Sequence, residues 1–152
     1  MTYKSILLVV KDIQKSKEFY KNILGLDVVD DFGANVVLTH NISLQTLDTW
    51  KEFIEKKEVI FNSNSQELYF EEDNFDDFVQ KLYNKNIDFV HNVKEHSWGQ
   101  KVVRFYDLDQ HIIEVGEPMK VVVKRFLDSG LSVEDTAKRM GVSVEYIKNN
   151  KN

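Results

Sequence analysis

Apolar residues along this chain recur in two periods that alternate in order. The run Ile6-Leu7-Leu8-Val9-Val10 reads as a buried strand over residues 5–10. Behind it, Asp12 is placed to cap a helix whose apolar positions Phe19, Tyr20, Ile23 and Leu24 share one face, and Gly25 ends that helix. Short strands are then expected near residues 27–31, 34–39 and 42–47, separated by Gly33 and by His40-Asn41. After the turn-rich Asn62-Ser63-Asn64-Ser65 the order repeats. A strand at 67–71 leads to a helix capped by Asp73, bearing Phe75, Phe78, Val79 and Leu82 and closed by Asn84-Lys85-Asn86. Strands are expected at 87–91, 100–106 and 111–116. The pattern is β-α-β-β-β used twice, with a helical insert near residues 49–57 between the copies. This predicts an α+β fold in which two βαβββ repeats form a curved mixed sheet around a cavity, with helices on its outer face and a helical extension at the C-terminus.

Against this pattern one residue is out of place. Glu114 interrupts the apolar strand Ile112-Ile113-Glu114-Val115, just after the turn Asp107-Leu108-Asp109-Gln110. An unpaired carboxylate costs several kcal/mol to bury, so Glu114 is expected to face a wet cavity, a cation or a metal ion. The segment 90–100 is expected to be a loop at the rim of that cavity, with His96 and Trp98 as ligand-contacting candidates: an indole covers a ligand, and a histidine moves protons near neutral pH. His111 alternates away from Glu114 and reads as structural, and Trp50 reads as packing. Glu71-Glu72-Asp73 reads as favourable charge at a helix N-terminus. There is no glycine-rich phosphate loop, Gly-x-Ser-x-Gly elbow, His-Glu-x-x-His helix or dinucleotide fingerprint.

Composition narrows the classes. Of 152 residues, 42% are hydrophobic, which is too many for a disordered chain. Cysteine is absent, which excludes thiolate metal sites and a cysteine nucleophile and suits a reducing, cytoplasmic compartment; no apolar run is long enough to span a membrane. Residues 1–118 hold 13 Lys/Arg against 21 Asp/Glu, whereas residues 119–152 hold seven against four. The acidic body repels membranes and nucleic acid, so a polyanion is expected to meet only the tail, if anything. In the tail, Ser132 and Gly141 bracket one helix and Ser143 starts another, an arrangement that resembles a helix-turn-helix. The last helix has few side chains for reading bases, so nucleic acid is not the expected partner. A lid or packing element fits Val121, Phe126, Leu131, Met140 and Ile147 better, and DNA-associated regulation stands as the third reading.

Two segments carry a family resemblance. Residues 9–26, from Val9-Val10-Lys11-Asp12 to Gly25-Leu26, and residues 104–114, from Arg104-Phe105-Tyr106-Asp107 to Ile113-Glu114, resemble the opening helix and the closing hairpin of the vicinal oxygen chelate superfamily. That superfamily includes glyoxalases, bleomycin-resistance proteins, fosfomycin-resistance enzymes and extradiol dioxygenases. The closing hairpin usually reads Asp-Pro-Asp-Gly where this chain has Asp107-Leu108-Asp109-Gln110. The resemblance implies a domain over residues 1–118, with modules at about 3–48 and 66–117, followed by the helical tail 119–152. It also implies a homodimer. For metal-dependent members it implies ligands at Ser5, Gln45, Glu67 and Glu114, with Glu67 or Glu114 moving a proton in a lyase or isomerase reaction. Serine is a weak ligand and the usual histidines are missing, so the set is incomplete for Zn²⁺ or Ni²⁺; a hard ion such as Mg²⁺ or Mn²⁺ fits better, and a metal-free site better still. The same alignment turns Arg104 to the cavity with Gln100 and Val102, where its guanidinium can replace a metal beside Glu114. The expected function is therefore binding of a small anionic or oxygen-rich molecule by Arg104, Gln45, Gln100, Trp98 and His96. It is either a glyoxalase-like lyase or isomerase, or a non-catalytic binding or resistance protein.

Overall fold

A computed structural model describes residues 1–56 and 58–151. The chain divides into two compact units, one of residues 1–67 with 106–112 and the other of residues 68–105 with 113–152.

In the first unit, β1 (Ile6–Val10) leads to α1 (Ile13–Leu24), followed by β2 (Val28–Asp31), β3 (Asn35–Leu38) and β4 (Ile42–Thr46). The sheet order is β1-β4-β3-β2, with β1 parallel to β4 and the remaining pairs antiparallel. The Asp12 carboxylate accepts from the Gln14 and Lys15 backbone N–H groups at 3.2 and 3.1 Å, which fixes the start of α1. That helix buries Ser16, Tyr20 and Ile23, while Phe19 and Leu24 stay half-buried. The expected insert begins earlier than its pattern suggested, as α2 (Leu47–Phe53). Its expected end, Lys57, lies outside the described residues.

The second unit holds α3 (Phe75–Tyr83), β6 (Phe89–Glu95) and all but an end residue of β5 (Glu67–Glu71), β7 (Lys101–Tyr106) and β8 (Ile112–Gly116), and these four strands form a sheet in the order β5-β8-β7-β6. The α3 helix covers one face of this sheet: Phe78 meets Phe105, and Asp76 pairs with Lys101 at 3.5 Å. Two local expectations change. Asp73 does not cap α3; Asn74 holds the cap position, its N–H is taken by the Glu72 carboxylate, and Asp73 pairs with Lys120 at 3.1 Å. Residues 90–95 are not loop but the body of β6, so the expected rim shrinks to a tight turn at 96–99, closed by Gly99 N–H to His96 O and His96 N–H to Gln100 O, each 2.8 Å. Polar side chains hid this strand, because β6 is an edge strand with most of its residues exposed.

The tail forms α4 (Met119–Asp128), α5 (Val133–Met140) and α6 (Val144–Asn150). Ser132 and Ser143 cap α5 and α6 as their sequence positions suggest, with Gly141 between them. Val122, Val123, Ala137, Met140 and Ile147 form a core shared by the three helices, with Phe126 and Tyr146 packed against it. No helix among the described residues is long and apolar enough to cross a membrane.

Candidate functional site

Strand alternation divides β7 between two faces. Lys101, Val103 and Phe105 share the face covered by α3, so Gln100, Val102 and Arg104 belong to the other. On this second face charge meets charge. Glu114, 5% exposed, forms an ion pair with the Arg104 guanidinium. Arg104 Nη1 also lies 3.2 Å from His91 Nε2, and Arg104 and His91 are register partners across β7 and β6. His91 Nδ1 is 2.7 Å from the Asn92 carbonyl oxygen, which only accepts, so the proton sits on Nδ1 and Nε2 is left to accept from Arg104. One guanidinium is thereby held by a carboxylate on one side and a neutral imidazole on the other.

At the other end of the same face, Gln100 is buried and fully engaged. Its Nε2 donates to the Tyr69 hydroxyl at 2.9 Å and to the Glu117 carbonyl at 2.8 Å, while its Oε1 accepts from Trp98 Nε1 at 3.2 Å. Tyr69 donates its hydroxyl hydrogen to Glu71 Oε1 at 3.0 Å, and burial raises the Tyr69 hydroxyl above its usual value, so it stays a donor. Gly116 leaves room for this contact: a Cβ there would lie 3.0 Å from Gln100 Nε2 and 3.4 Å from the Tyr69 hydroxyl. His96 stacks on Trp98 with ring centroids 4.2 Å apart, and Trp98 remains 37% exposed.

The second unit thus brings Arg104 and Glu114 together, and Gln100, Trp98 and His96 together. Gln45 belongs to the first unit, where its amide is consumed: Nε2 donates to Ala34 O at 2.9 Å and Oε1 accepts from Asn35 at 3.0 Å. Glu67 is exposed at the first position of β5. His91, Tyr69 and Glu71 are participants that sequence reasoning passed over. Alternation along β5 was the available signal for Tyr69 and Glu71, whereas His91 depends on a register shift in β6 that no local pattern announces.

These donors do not suit the metal that the resemblance implies. In the parallel β1–β4 register Gln45 lies opposite Val9. Ser5, four residues earlier, is about 13 Å away along the strand, beyond the reach of a shared ion. Glu114 already has a cationic partner, and the Gln45 amide is occupied. Among the described residues, no group of three or more His, Cys, Asp or Glu side chains has the spacing of a metal site.

A separate cleft of about 490 Å³ lies in the second unit, lined by Glu71, Asp73, Met119, Lys120, Tyr146 and Asn150, among others. Apart from Glu71 it shares nothing with the polar face, and Lys120 neutralises Asp73 there. The Arg104 face, by contrast, holds a buried charge and its partner.

Comparison with known proteins agrees with the architecture. The family model described as a glyoxalase-like domain matches residues 3–120. A solved structure of a protein of unknown function from Agrobacterium tumefaciens is 32% identical, covering 78% of this chain and 94% of that one, with a TM-score of 0.70. A glyoxalase-related enzyme from Fulvimarina pelagi is 16% identical over 78% of this chain and 88% of its own, with a TM-score of 0.67. A glyoxalase/bleomycin resistance protein/dioxygenase family enzyme from Burkholderia phytofirmans is 13% identical over 75% and 96%, with a TM-score of 0.65. At such identities the last two speak for the fold alone. A search of curated proteins gave no match. With a family model spanning most of its length and two βαβββ modules in place, this chain belongs to the glyoxalase-like domain family of the vicinal oxygen chelate superfamily.

Proposed function

We propose that this protein binds a small anionic or oxygen-rich molecule without a metal ion, as a binding or resistance protein and not as a metal-dependent lyase. The observation that carries this reading is the Arg104–Glu114 ion pair. In metal-dependent relatives the carboxylate at the position of Glu114 would hold the ion that polarises a substrate's oxygens; here a guanidinium stands beside it. A guanidinium offers five N–H donors in a planar fork, which suits carboxylate, phosphate or vicinal oxygens. Glu114 and His91 fix its plane, so less side-chain entropy is lost when a ligand binds. On this reading Glu114 anchors Arg104 and is not the proton carrier, and Trp98, His96 and Gln100 form the wall at the far end. A homodimer is part of the same proposal; sedimentation equilibrium would then give twice the chain mass of 17.9 kDa.

Calorimetric titration tests the reading directly. Zn²⁺, Ni²⁺, Mn²⁺ and Mg²⁺ at neutral pH are expected to bind no tighter than about 10 μM, which a preformed catalytic site would exceed. Phosphate and malonate serve as oxyanion probes. Arg104→Met is expected to weaken their binding about tenfold or more, through loss of charge-assisted hydrogen bonds, with no response to a chelator. Tight metal binding that disappears in Glu114→Gln would overturn the proposal.

A further inference from the structure

The three C-terminal helices lie almost wholly beyond residues 3–120, which the family model matches, and they take hold of one feature of the second module. That feature is the turn 96–99 between β6 and β7. Phe126 of α4 packs against Gly99: a Cβ at Gly99 would lie 2.3 Å from Phe126 Cζ. Two guanidiniums flank the same ring, Arg125 and Arg139, each 5.3 Å from its centroid. Each also takes a carbonyl of the turn, Arg125 Nη2 donating to Gly99 O at 2.5 Å and Arg139 Nη1 to Ser97 O. Each guanidinium also reaches a carboxylate, Arg139 Nη2 that of Glu95 at 3.2 Å and Arg125 Nη2 that of the buried Glu117 at 2.8 Å. Glu117 in turn accepts from the Lys101 N–H at 2.8 Å, so the first residue of β7 is tied into the same assembly.

We infer that the tail is a clamp, and that Arg125, Phe126 and Arg139 are positioning residues that fix the turn carrying Trp98 and delivering Gln100 to the polar face. Beyond its own two backbone hydrogen bonds and the His96–Trp98 stack, the turn draws its long-range anchoring from these helices. Apart from Gly99 and His96 its residues are exposed, β6 is an edge strand, and β6 pairs with β7 through two register shifts. Released from the helices, such a turn opens locally, and the Trp98–Gln100–Tyr69 relay loses its geometry. The link to ligand binding rests on the function proposed above, whereas the ordering of the turn does not.

The test uses the full chain carrying Trp50→Phe, which leaves Trp98 as the sole indole of the two. In Arg125→Ala/Arg139→Ala the Gly99 amide is expected to exchange about tenfold faster or more, as its local opening becomes easier. Acrylamide quenching of Trp98 is expected to rise by roughly twofold as the indole loosens, with the far-UV circular dichroism unchanged. Lysine at both positions, retaining charge but not the fork, is expected to restore part of both effects. Should the double alanine variant lose helix, Glu95→Gln gives the same reading from the strand side, because it leaves the helical core untouched. Unchanged exchange and quenching in these variants would overturn the clamp. Malonate affinity should fall by about fivefold with the loosened turn, as preorganisation is lost. A loosened turn with unaltered malonate affinity would overturn the positioning role, and failure of the parent protein to bind malonate would count against the proposed function while exchange still decides the clamp.

Discussion

Asp107 shows how much one residue fixes in the first unit. One carboxylate oxygen accepts from the backbone N–H groups of Asp109 and His111 at 2.9 and 2.8 Å; the other accepts from the buried Tyr20 hydroxyl at 2.8 Å and lies 2.7 Å from His111 Nδ1. Burial works to raise the Asp107 carboxyl, but the His111 and Tyr20 contacts outweigh it and hold it below the usual carboxylate range. A carboxylate depressed on folding contributes stability that is present above its unfolded value and is lost as pH falls through the folded one. Asp107→Asn is therefore expected to cost about 2–3 kcal/mol at neutral pH and to flatten the decline of stability below about pH 4, as measured by urea unfolding at several pH values. Burial raises neighbouring Asp109, which acts with the opposite sign and at higher pH than Asp107, so the difference between variant and parent is the quantity to follow. Three residues past Asp107 stands Gln110 at φ +67°, where the closing hairpin of the family usually has glycine. Gln110→Gly should raise stability by about 0.5–1 kcal/mol, the relief of a left-handed side chain less the added freedom of the unfolded chain, and a higher urea midpoint with unchanged m-value would show it.

At the scale of elements, the same backbone conformation has different costs in different settings. Gly99 at φ +93° and Gly130 at φ +95° are nearly alike in backbone, but Gly130 faces open space while Gly99 lies under the Phe126 ring. Alanine at Gly130 is expected to cost about 1 kcal/mol of backbone strain, and alanine at Gly99 about 3 kcal/mol or more, because the ring must also leave. Equal losses in thermal unfolding would mean that α4 does not grip the turn. This contrast also marks what the sequence could convey. Asp12, Ser132 and Ser143 announce their helices because a cap is a local device, whereas the shared face of Arg104 and Glu114 comes from the family resemblance, with alternation extending it only to Val102 and Gln100. Asp73 misled because Asn74, one residue on, holds the cap position and the side-chain bond comes from Glu72. The grip of Arg125 and Arg139 on residues 97–99 was not legible, since it joins positions separated by 26 and 42 residues through carbonyl groups that any sequence possesses.

Across the whole molecule, the charge of the tail takes on a different meaning once its partners are known. Residues 119–152 carry seven cations against four anions, an excess that by itself would favour a polyanion at the helix-turn-helix-like pair α5 and α6. Three of those cations are engaged with acids of the second module: Lys120 with Asp73, Arg125 with Glu117, and Arg139 with Glu95. The four that remain, Lys124, Lys138, Lys148 and Lys151, are matched in number by Asp128, Glu134, Asp135 and Glu145. Glu145 lies in the first turn of α6, and Glu134 and Asp135 in that of α5, which are the places a DNA-reading unit turns toward phosphates. Counterion release thus has little to act on, and the acidic body opposes approach. The full chain is therefore expected to leave a random 30-base-pair duplex unshifted at about 150 mM salt, and to show a salt slope near zero on dilution to about 20 mM. A retarded complex whose affinity falls steeply with salt and is lost in Lys148→Ala/Lys151→Ala would show instead that the helices release their module contacts and read DNA. A flat response would leave clamping as the use of this charge.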